Sequence, residues 1–286
     1  MSAQRTCPLC GYTRGRPLWH EIGYRYLRCT RCAMVYADVT RETYLAARHN
    51  AWDESRLDQA TLAFYETARE AVHERFLDLM GPPAGRRLLD VGCGIGAFLA
   101  RAQRRGWDVY GCDTSEHWAG LAQQRVGAER VSHGEAASII GDRTFDLVTM
   151  WDVIEHVYDP LPLLRELRAA LAPGGRLFIR TPNIAYVLPV YGVRRRLGQP
   201  VELGPLNHVV YFGARTMDRA LRDAGFVPGA PVVLVPPQVP VVEDPELGAV
   251  SVRIKNAWAG VADTAARLTR GRVLVGSDLD VIAAPA

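Results

Sequence analysis

The chain has 286 residues, of which 48% are apolar and 23% charged, and its formal net charge is +3. This length permits roughly two domains with a sizeable core, and the composition is typical of an ordinary soluble globular protein rather than a disordered one. The small net charge gives only weak support to a nucleic-acid-binding function.

No targeting or membrane segment is apparent. The first sixteen residues contain no apolar stretch of the kind found in secretory signals. The longest apolar stretch, residues 227–242, is interrupted by five prolines and cannot cross a bilayer as a regular helix. We therefore expect a cytoplasmic protein, in which paired cysteines indicate metal binding rather than disulfides.

Four of the six cysteines form two C-x-x-C pairs near the N-terminus: Cys7, Cys10, Cys29 and Cys32. The spacing predicts a four-thiolate zinc ribbon, with a redox pair or disulfides as the alternatives. A module of about forty residues has too little apolar area to fold unaided, so the metal would supply most of its stability. Four thiolates leave no open coordination position, and we expect the zinc to be structural.

Residues 41–80 carry a helical pattern. Between residues 57 and 80 apolar side chains recur at steps of three and four, and the sequence Gly-Pro-Pro at 81–83 stops the helix. A mainly helical segment should therefore precede the first strand of the next region.

Residues 88–113 predict a strand, a glycine-rich loop, a helix and a second strand. Three glycines at alternate positions follow the first strand: Gly92, Gly94 and Gly96. They allow a sharp turn and let a ligand lie against bare backbone, while the N–H groups of the next helix face the bound molecule. Asp113 ends the second strand, where a carboxylate can accept hydrogen bonds from both ribose hydroxyls. The pattern predicts a nucleoside-binding unit.

The charge of the nucleoside can be inferred from Asp90. The glycines also satisfy the G-x-G-x-x-G/A pattern of dinucleotide-binding proteins. However, a carboxylate two residues before the first glycine would repel a pyrophosphate. S-adenosylmethionine carries an ammonium and a sulfonium group, and would gain from a nearby negative charge.

This stretch resembles motif I of class I S-adenosylmethionine-dependent methyltransferases, and the resemblance covers residues 86–230. It implies an α/β fold with a Rossmann-like, mostly parallel sheet and an antiparallel last strand, following the small N-terminal zinc ribbon. It also implies three regions. These are a zinc-binding module at 1–40, a helical cap at 41–85, and the methyltransferase domain at 86–286 with a lid insertion at 183–213.

The resemblance nominates further contacts to the cofactor. Glu135 follows the predicted third strand, where the family often has an acidic residue that meets the adenine amino group; a favourable first-turn residue is the alternative. Tyr44 and Tyr65 of the cap could line the cleft, although we favour core packing for both. The full set of cofactor-binding candidates is Asp90, Gly92, Gly94, Gly96, Asp113, Thr114, Glu135, Met150 and Trp151.

Two histidines are candidate catalytic residues. Residues 151–160, which follow the fourth predicted strand, resemble the corresponding segment of quinone-biosynthesis methyltransferases. If this segment is helical, Asp152 and His156 share a face at the carboxyl edge of the sheet. His156 could act as a general base toward a phenolic or enolic proton, with a structural histidine as the alternative. His208, in the lid, is the second candidate base.

The remaining pattern continues the alternation of strands and helices. A helix, a strand and a second helix are predicted at residues 161–171, 176–181 and 214–225. An antiparallel closing pair of strands is expected at residues 231–235 and 279–283, with a helix at residues 254–268 between them.

Together these features predict a cytoplasmic methyltransferase that uses S-adenosylmethionine and acts on a small-molecule acceptor. The expected acceptor group is a hydroxyl of a secondary-metabolite intermediate. The alternatives are a ribosomal RNA methyltransferase whose zinc module grips RNA, a sugar C-methyltransferase, and a non-catalytic zinc-ribbon interaction protein. Neither nucleic acid nor membrane is an expected partner, and the pattern gives no indication of oligomeric state.

Overall fold

The computed structural model describes residues 5–51, 69–230, 232, 234 and 276–286. The strands are β1 (Gly15–Glu21), β2 (Tyr24–Cys29), β3 (Val35–Ala37), β4 (Arg87–Val91), β5 (Asp108–Asp113), β6 (Val131–His133), β7 (Phe145–Trp151), β8 (Leu171–Pro182), β9 (Val210–Tyr211), β10 (Phe226–Pro228) and β11 (Asp278–Pro285). The helices are α1 (Arg41–Ala51), α2 (Glu70–Met80), α3 (Ala97–Arg104), α4 (Glu116–Val126), α5 (Ala137–Ile140), α6 (Pro160–Ala169), α7 (Ile184–Arg196) and α8 (Ala214–Asp223).

The larger sheet has seven strands in the order β10-β11-β8-β7-β4-β5-β6. The strands from β8 to β6 pair in parallel, and β11 lies antiparallel between β8 and β10. This arrangement confirms the predicted α/β fold with a mostly parallel sheet and an antiparallel last strand. The carboxyl ends of β4, β5 and β7 lie at one edge, where ligands bind in sheets of this type.

The sheet is covered on both faces because its central strands are apolar at almost every position. Leu88 of β4 and Leu147 of β7 belong to a buried cluster with residues of α2, α3 and α4. Leu89 and Val148, one position further along, belong to a second cluster with residues of α6, α8 and the N-terminal strands. Successive side chains of a strand point to opposite faces, so the two clusters lie on opposite sides of the sheet.

The smaller sheet has the order β1-β2-β3-β9, and all its pairs are antiparallel. Strand β9 lies within the predicted lid, yet it pairs with β3 of the N-terminal module. The first forty residues therefore share a sheet and a core cluster with the segment that follows His208.

The structure differs from the sequence expectations at several element bounds. The described parts of residues 41–80 contain α1 and α2, as expected for a helical segment, whereas residues 52–68, with Tyr65 among them, lie outside the described residues. Strand β8 begins at Leu171, ahead of the predicted start, because Phe145 pairs with Leu171 and the intervening Pro-Gly-Gly bulges out before pairing resumes.

The segment after β7 is not a regular helix. Only Ile154–His156 forms a single 3-10 turn, and Asp152 precedes it with a left-handed φ of 52°. The condition under which Asp152 and His156 would share a helical face is therefore not met. A shared helical face was inferred from residue spacing alone, and spacing carries no information on the sharp turn of the backbone at the end of β7.

At the C-terminal end, β10 is the strand that pairs with β11. Most of the predicted strand at 231–235 lies outside the described residues. Val232, which is described, forms an isolated bridge to Asp280. The predicted helix at 254–268 also lies outside the described residues. Among the helices that the structure describes, none is both long and apolar enough to span a bilayer.

Candidate active site and metal centre

The loop after β4 is shaped by three glycines with left-handed φ angles: Gly92, Gly94 and Gly96. A Cβ on Gly92 would lie 2.5 Å from Val153 Cγ2, and a Cβ on Gly96 would lie 2.9 Å from Ala122 Cα. At these two positions, neighbouring residues of the protein occupy the space beside the glycine. A Cβ on Gly94 would make one ordinary contact, at 3.7 Å. Gly94 is thus the position where the loop presents bare backbone to open space.

Asp113, at the end of β5, is oriented by this loop. Its Oδ2 accepts a hydrogen bond from Gly94 N at 2.9 Å, and its Oδ1 accepts one from Ser115 N at 2.9 Å. Ser115 in turn caps α4, because its hydroxyl oxygen accepts a hydrogen bond from the backbone N–H of Trp118. Each carboxylate oxygen has more than one lone pair, so Asp113 can also accept hydrogen bonds from ribose hydroxyls.

Asp90 is buried beneath the loop. Its Oδ1 accepts a hydrogen bond from Thr149 Oγ1 at 2.7 Å. Burial raises the pKa of Asp90 to about 8, while the Thr149 hydrogen bond opposes the rise and the nearby Asp113 adds to it. Near neutral pH this carboxyl is largely protonated, and a bound cation would favour its ionised form.

The other four cofactor-binding candidates differ from one another in exposure. Thr114 and Glu135 are exposed, on the loops that follow β5 and β6. Met150 is fully buried, and Trp151 is 7% exposed, with its ring 4.6–5.3 Å from four aromatic neighbours. Their roles as cofactor contacts stay predictions.

The two candidate histidines lie together, with ring centroids 4.8 Å apart. His156 Nδ1 lies 3.0 Å from the carbonyl oxygen of Asn207. His208 Nδ1 lies 2.8 Å from the Tyr211 hydroxyl, which donates its own proton to the Leu203 carbonyl. A carbonyl only accepts, and the Tyr211 proton is already used. In a neutral ring, each of these contacts places the proton on Nδ1 and the lone pair on Nε2.

The two rings lie in similar surroundings, and both are half-buried. Burial, together with the neighbouring His156, lowers the pKa of His208 to about 3. His208 is therefore neutral at physiological pH.

Glu155 lies beside the histidine pair, and the sequence analysis gave it no role of its own. Thr181 Oγ1 donates a hydrogen bond to Glu155 Oε2 at 2.8 Å, whereas Oε1 has no hydrogen-bond partner among the described residues. Burial, reinforced by Asp152, raises the pKa of Glu155. Its carboxyl oxygen and the histidine nitrogens lie within 4.8 Å of one another, a donor set that can share a proton or a divalent cation. The signal in the sequence was the Glu-His dipeptide itself.

The four N-terminal cysteines form a compact centre. The sulfur atoms of Cys7 and Cys32 are 3.5 Å apart and those of Cys10 and Cys29 are 3.6 Å apart. A tetrahedral zinc ion with Zn–S bonds of about 2.3 Å requires S–S separations of about 3.8 Å. These distances suit a shared metal ion and are much longer than a disulfide bond of about 2.05 Å.

The family can now be assigned. Residues 63–228 match the model of a methyltransferase domain family, which is more than half of the chain. The chain belongs to this family.

Two relatives are ubiquinone biosynthesis O-methyltransferases. The one from Aeromonas salmonicida is 36% identical over 160 residues, covering 52% of this chain and 66% of the relative. The one from Parvibaculum lavamentivorans is 28% identical over 214 residues, covering 69% of this chain and 83% of the relative. The match thus spans just under two thirds of the Aeromonas relative.

Two solved structures share the fold. The 1,6-didemethyltoxoflavin-N1-methyltransferase of Burkholderia thailandensis, with its acceptor and S-adenosylhomocysteine bound, has a TM-score of 0.54 and 16% identity, covering 94% of this chain and 99% of that chain. The magnesium protoporphyrin IX methyltransferase of Synechocystis PCC 6803, with bound S-adenosylhomocysteine, has a TM-score of 0.51 and 16% identity, covering 85% and 95%. Identities this low establish a common fold alone.

Asp90→Asn should stabilise the ligand-free protein at alkaline pH. A carboxyl whose pKa is raised from 3.8 to about 8 contributes most stability below pH 3.8 and loses it as the pH rises through 8. Asparagine keeps an acceptor for Thr149 and never ionises. At about pH 9 the free energy of unfolding of the Asp90→Asn variant should exceed that of the wild type by about 1–3 kcal/mol.

Urea unfolding at several pH values measures the difference, which should shrink as the pH falls toward about 5. Identical pH dependence in the two proteins would contradict a buried ionisable Asp90.

Proposed function

We propose that this protein transfers the methyl group of S-adenosylmethionine to a hydroxyl of a small organic acceptor, a biosynthetic intermediate in the cytoplasm. The observation that carries the proposal is the glycine loop, where Gly94 presents open backbone beside Asp113 and above Asp90. The relatives named as O-methyltransferases support the reaction, and the S-adenosylhomocysteine in two structures of the same fold supports the cofactor.

The chemistry of the loop fits this cofactor. Asp113 would hold the ribose hydroxyls, and Asp90 would ionise opposite a positive charge, a gain that a negatively charged pyrophosphate does not offer. When bound, S-adenosylmethionine supplies a methyl group attached to a sulfonium, and loss of that methyl group leaves a neutral thioether.

The histidine pair provides the proton acceptor for the hydroxyl. We assign that role to His156, which lies beside His208 with ring centroids 4.8 Å apart, because the lowered pKa of His208 makes His208 a poor base. His208 stays neutral and is a weak base, so it would orient the acceptor through a hydrogen bond to Nε2. Alignment of the reacting atoms accounts for ~7–11 kcal/mol of barrier reduction in favourable cases, to which a base adds ~10²–10⁴-fold.

Calorimetric titration tests the cofactor assignment. The wild type should bind S-adenosylmethionine and S-adenosylhomocysteine but neither nicotinamide nor flavin nucleotides. Asp90→Asn should weaken S-adenosylmethionine binding by roughly tenfold, and S-adenosylhomocysteine binding by less, because the latter lacks the sulfonium charge. Preferential binding of a nicotinamide or flavin nucleotide would overturn the proposal.

His156→Gln should lower turnover by ~10²–10⁴-fold, because glutamine cannot take up the acceptor proton. His208→Gln should cost about tenfold, since it removes an orienting contact and not the base. Release of S-adenosylhomocysteine, measured with a panel of phenols and catechols, gives the rates. Cofactor affinity serves as the control and should be unchanged in both variants. Unchanged turnover in both would remove the base role.

We also propose that the four cysteines hold a structural zinc ion, because their sulfur separations suit a tetrahedral centre and leave no open coordination position. The cobalt-substituted protein should contain one metal ion per chain and show the absorption bands of a tetrahedral four-thiolate site. Cys32→Ser should change those bands, while Cys93→Ala, outside the centre, should leave them unchanged. Equal spectra for both variants would contradict the assignment.

A further inference from the structure

The backbone of each histidine in the pair is held by a tyrosine from the N-terminal part of the chain. The Tyr26 hydroxyl lies 2.6 Å from the His208 carbonyl oxygen and 3.1 Å from that of Leu203. The Tyr44 hydroxyl donates a hydrogen bond to the His156 carbonyl. Both tyrosines are at most 1% exposed, so water does not readily replace these contacts.

The segment that carries His208 is fixed further by the small sheet. Strand β3 pairs with β9 immediately after this histidine. At the other end of the segment, the carboxylate of Glu21 accepts hydrogen bonds from Leu203 N at 2.8 Å and Gly204 N at 3.0 Å. Residues 203–211 are thus attached to the N-terminal module at both ends.

Arg5 connects the two histidine segments to each other. Its guanidinium donates to the carbonyls of Ala37 and Val209, each at 3.2 Å. It also donates to the Tyr158 carbonyl, and its Cζ lies 3.6 Å from the centroid of the Tyr158 ring. Val209 follows His208, and Tyr158 is two residues beyond His156. One buried cation therefore bridges the backbones on which both imidazoles depend.

These contacts originate close to the cysteine centre. Arg5 lies two residues before Cys7, and Tyr26 lies three residues before Cys29 on β2. Strand β3 starts three residues after Cys32. Arg5, Tyr26 and β3 are thus each separated from a cysteine by three residues or fewer.

We propose that the N-terminal module, anchored by its four cysteines, is a positioning element of the candidate active site. The positioning residues are Tyr26 of the module and Tyr44 of helix α1, which follows the module directly, and they set the spacing and orientation of His208 and His156. The catalytic consequence rests on the proposed methyl transfer. A displacement of about 1 Å in a catalytic group can cost on the order of 10²-fold in rate, so the loss of either hydroxyl should lower turnover without affecting the glycine loop.

Tyr36→Phe provides a matched control for Tyr26→Phe and Tyr44→Phe. Tyr36 is fully buried in the same module, and its hydroxyl has no hydrogen-bond partner among the described residues. All three variants remove one buried hydroxyl, but only two of them remove a hydrogen bond to a histidine backbone.

Each variant is assayed for metal content, S-adenosylhomocysteine affinity by calorimetry, and turnover with the phenol and catechol panel. Tyr26→Phe and Tyr44→Phe should each lower the turnover number by roughly 10- to 100-fold while metal content and cofactor affinity stay at the wild-type level. Tyr36→Phe should match the wild type in all three.

A readout independent of activity comes from ¹⁵N-labelled histidine. The chain has seven histidines, and the signals of His156 and His208 are assigned from the two glutamine variants. In the wild type both rings should show the tautomer with the proton on Nδ1. Tyr26→Phe should shift the His208 signals and Tyr44→Phe those of His156, whereas Tyr36→Phe should leave both unchanged.

The outcomes separate this inference from the proposed function. A wild type that binds no adenosyl sulfur compound overturns the function, and the imidazole signals alone then decide the positioning role. Active protein in which the three phenylalanine variants behave alike overturns the positioning role. If the Tyr26→Phe variant loses its metal, the Glu21→Gln variant is used instead, because it weakens the attachment at Leu203 and Gly204. Glu21→Gln should shift the same His208 signals. Unshifted signals overturn the inference.

Discussion

The close approach of Gly92 to Val153 ties the two parts of the candidate site together. A Cβ at Gly92 would lie 2.5 Å from a Val153 methyl carbon, so the loop after β4 directly contacts the segment after β7. These strands are also neighbours in the sheet and pair in parallel almost to their last residues. Both segments leave the same edge at adjacent points. The loop that would hold the nucleoside therefore determines where the chain begins its path to His156.

Buried carboxyls give this edge an unusual electrostatic character. Burial raises the pKa of Asp90 to about 8 and also raises the pKa values of Asp152 and Glu155. Only Asp152 among the three pairs with a described arginine, Arg69. A protonated carboxyl avoids the cost of an unpaired buried charge, and it can ionise when a cation arrives. At Asp90 the edge would thus favour a positively charged ligand, because this carboxyl gains a partner when it ionises.

Local patterns in the sequence predicted the features that depend on local physics. The glycines at alternate positions and the order of strand, loop, helix and strand over residues 88–113 each follow from a few neighbouring residues. The pairing of β9 with β3 could not be predicted in this way, because it joins residues about 175 positions apart and β9 has only two residues.

The same limit applies within the candidate site. The sequence nominated His156 and His208 separately, as family equivalents, and their contact is a consequence of tertiary structure. Glu155 was missed because a glutamate in a surface-like turn ordinarily faces solvent, whereas here it is 0% exposed and bonded to Thr181. The sequence left the conformation of this turn open, because a one-turn 3-10 segment has too few residues to show a period.

The small sheet explains why a module of about forty residues can have a precise geometry. Three short strands bury too little apolar area to be stable alone. Strand β9 adds to them at the edge of β3 that faces away from β2, and the proposed zinc ion would add stability at the cysteine turns. Tyr26 lies between them, with its ring in the shared core and its hydroxyl on the His208 carbonyl. Loosening either support would therefore displace this tyrosine, which makes the folding of the module and the geometry of the histidine pair a single coupled equilibrium.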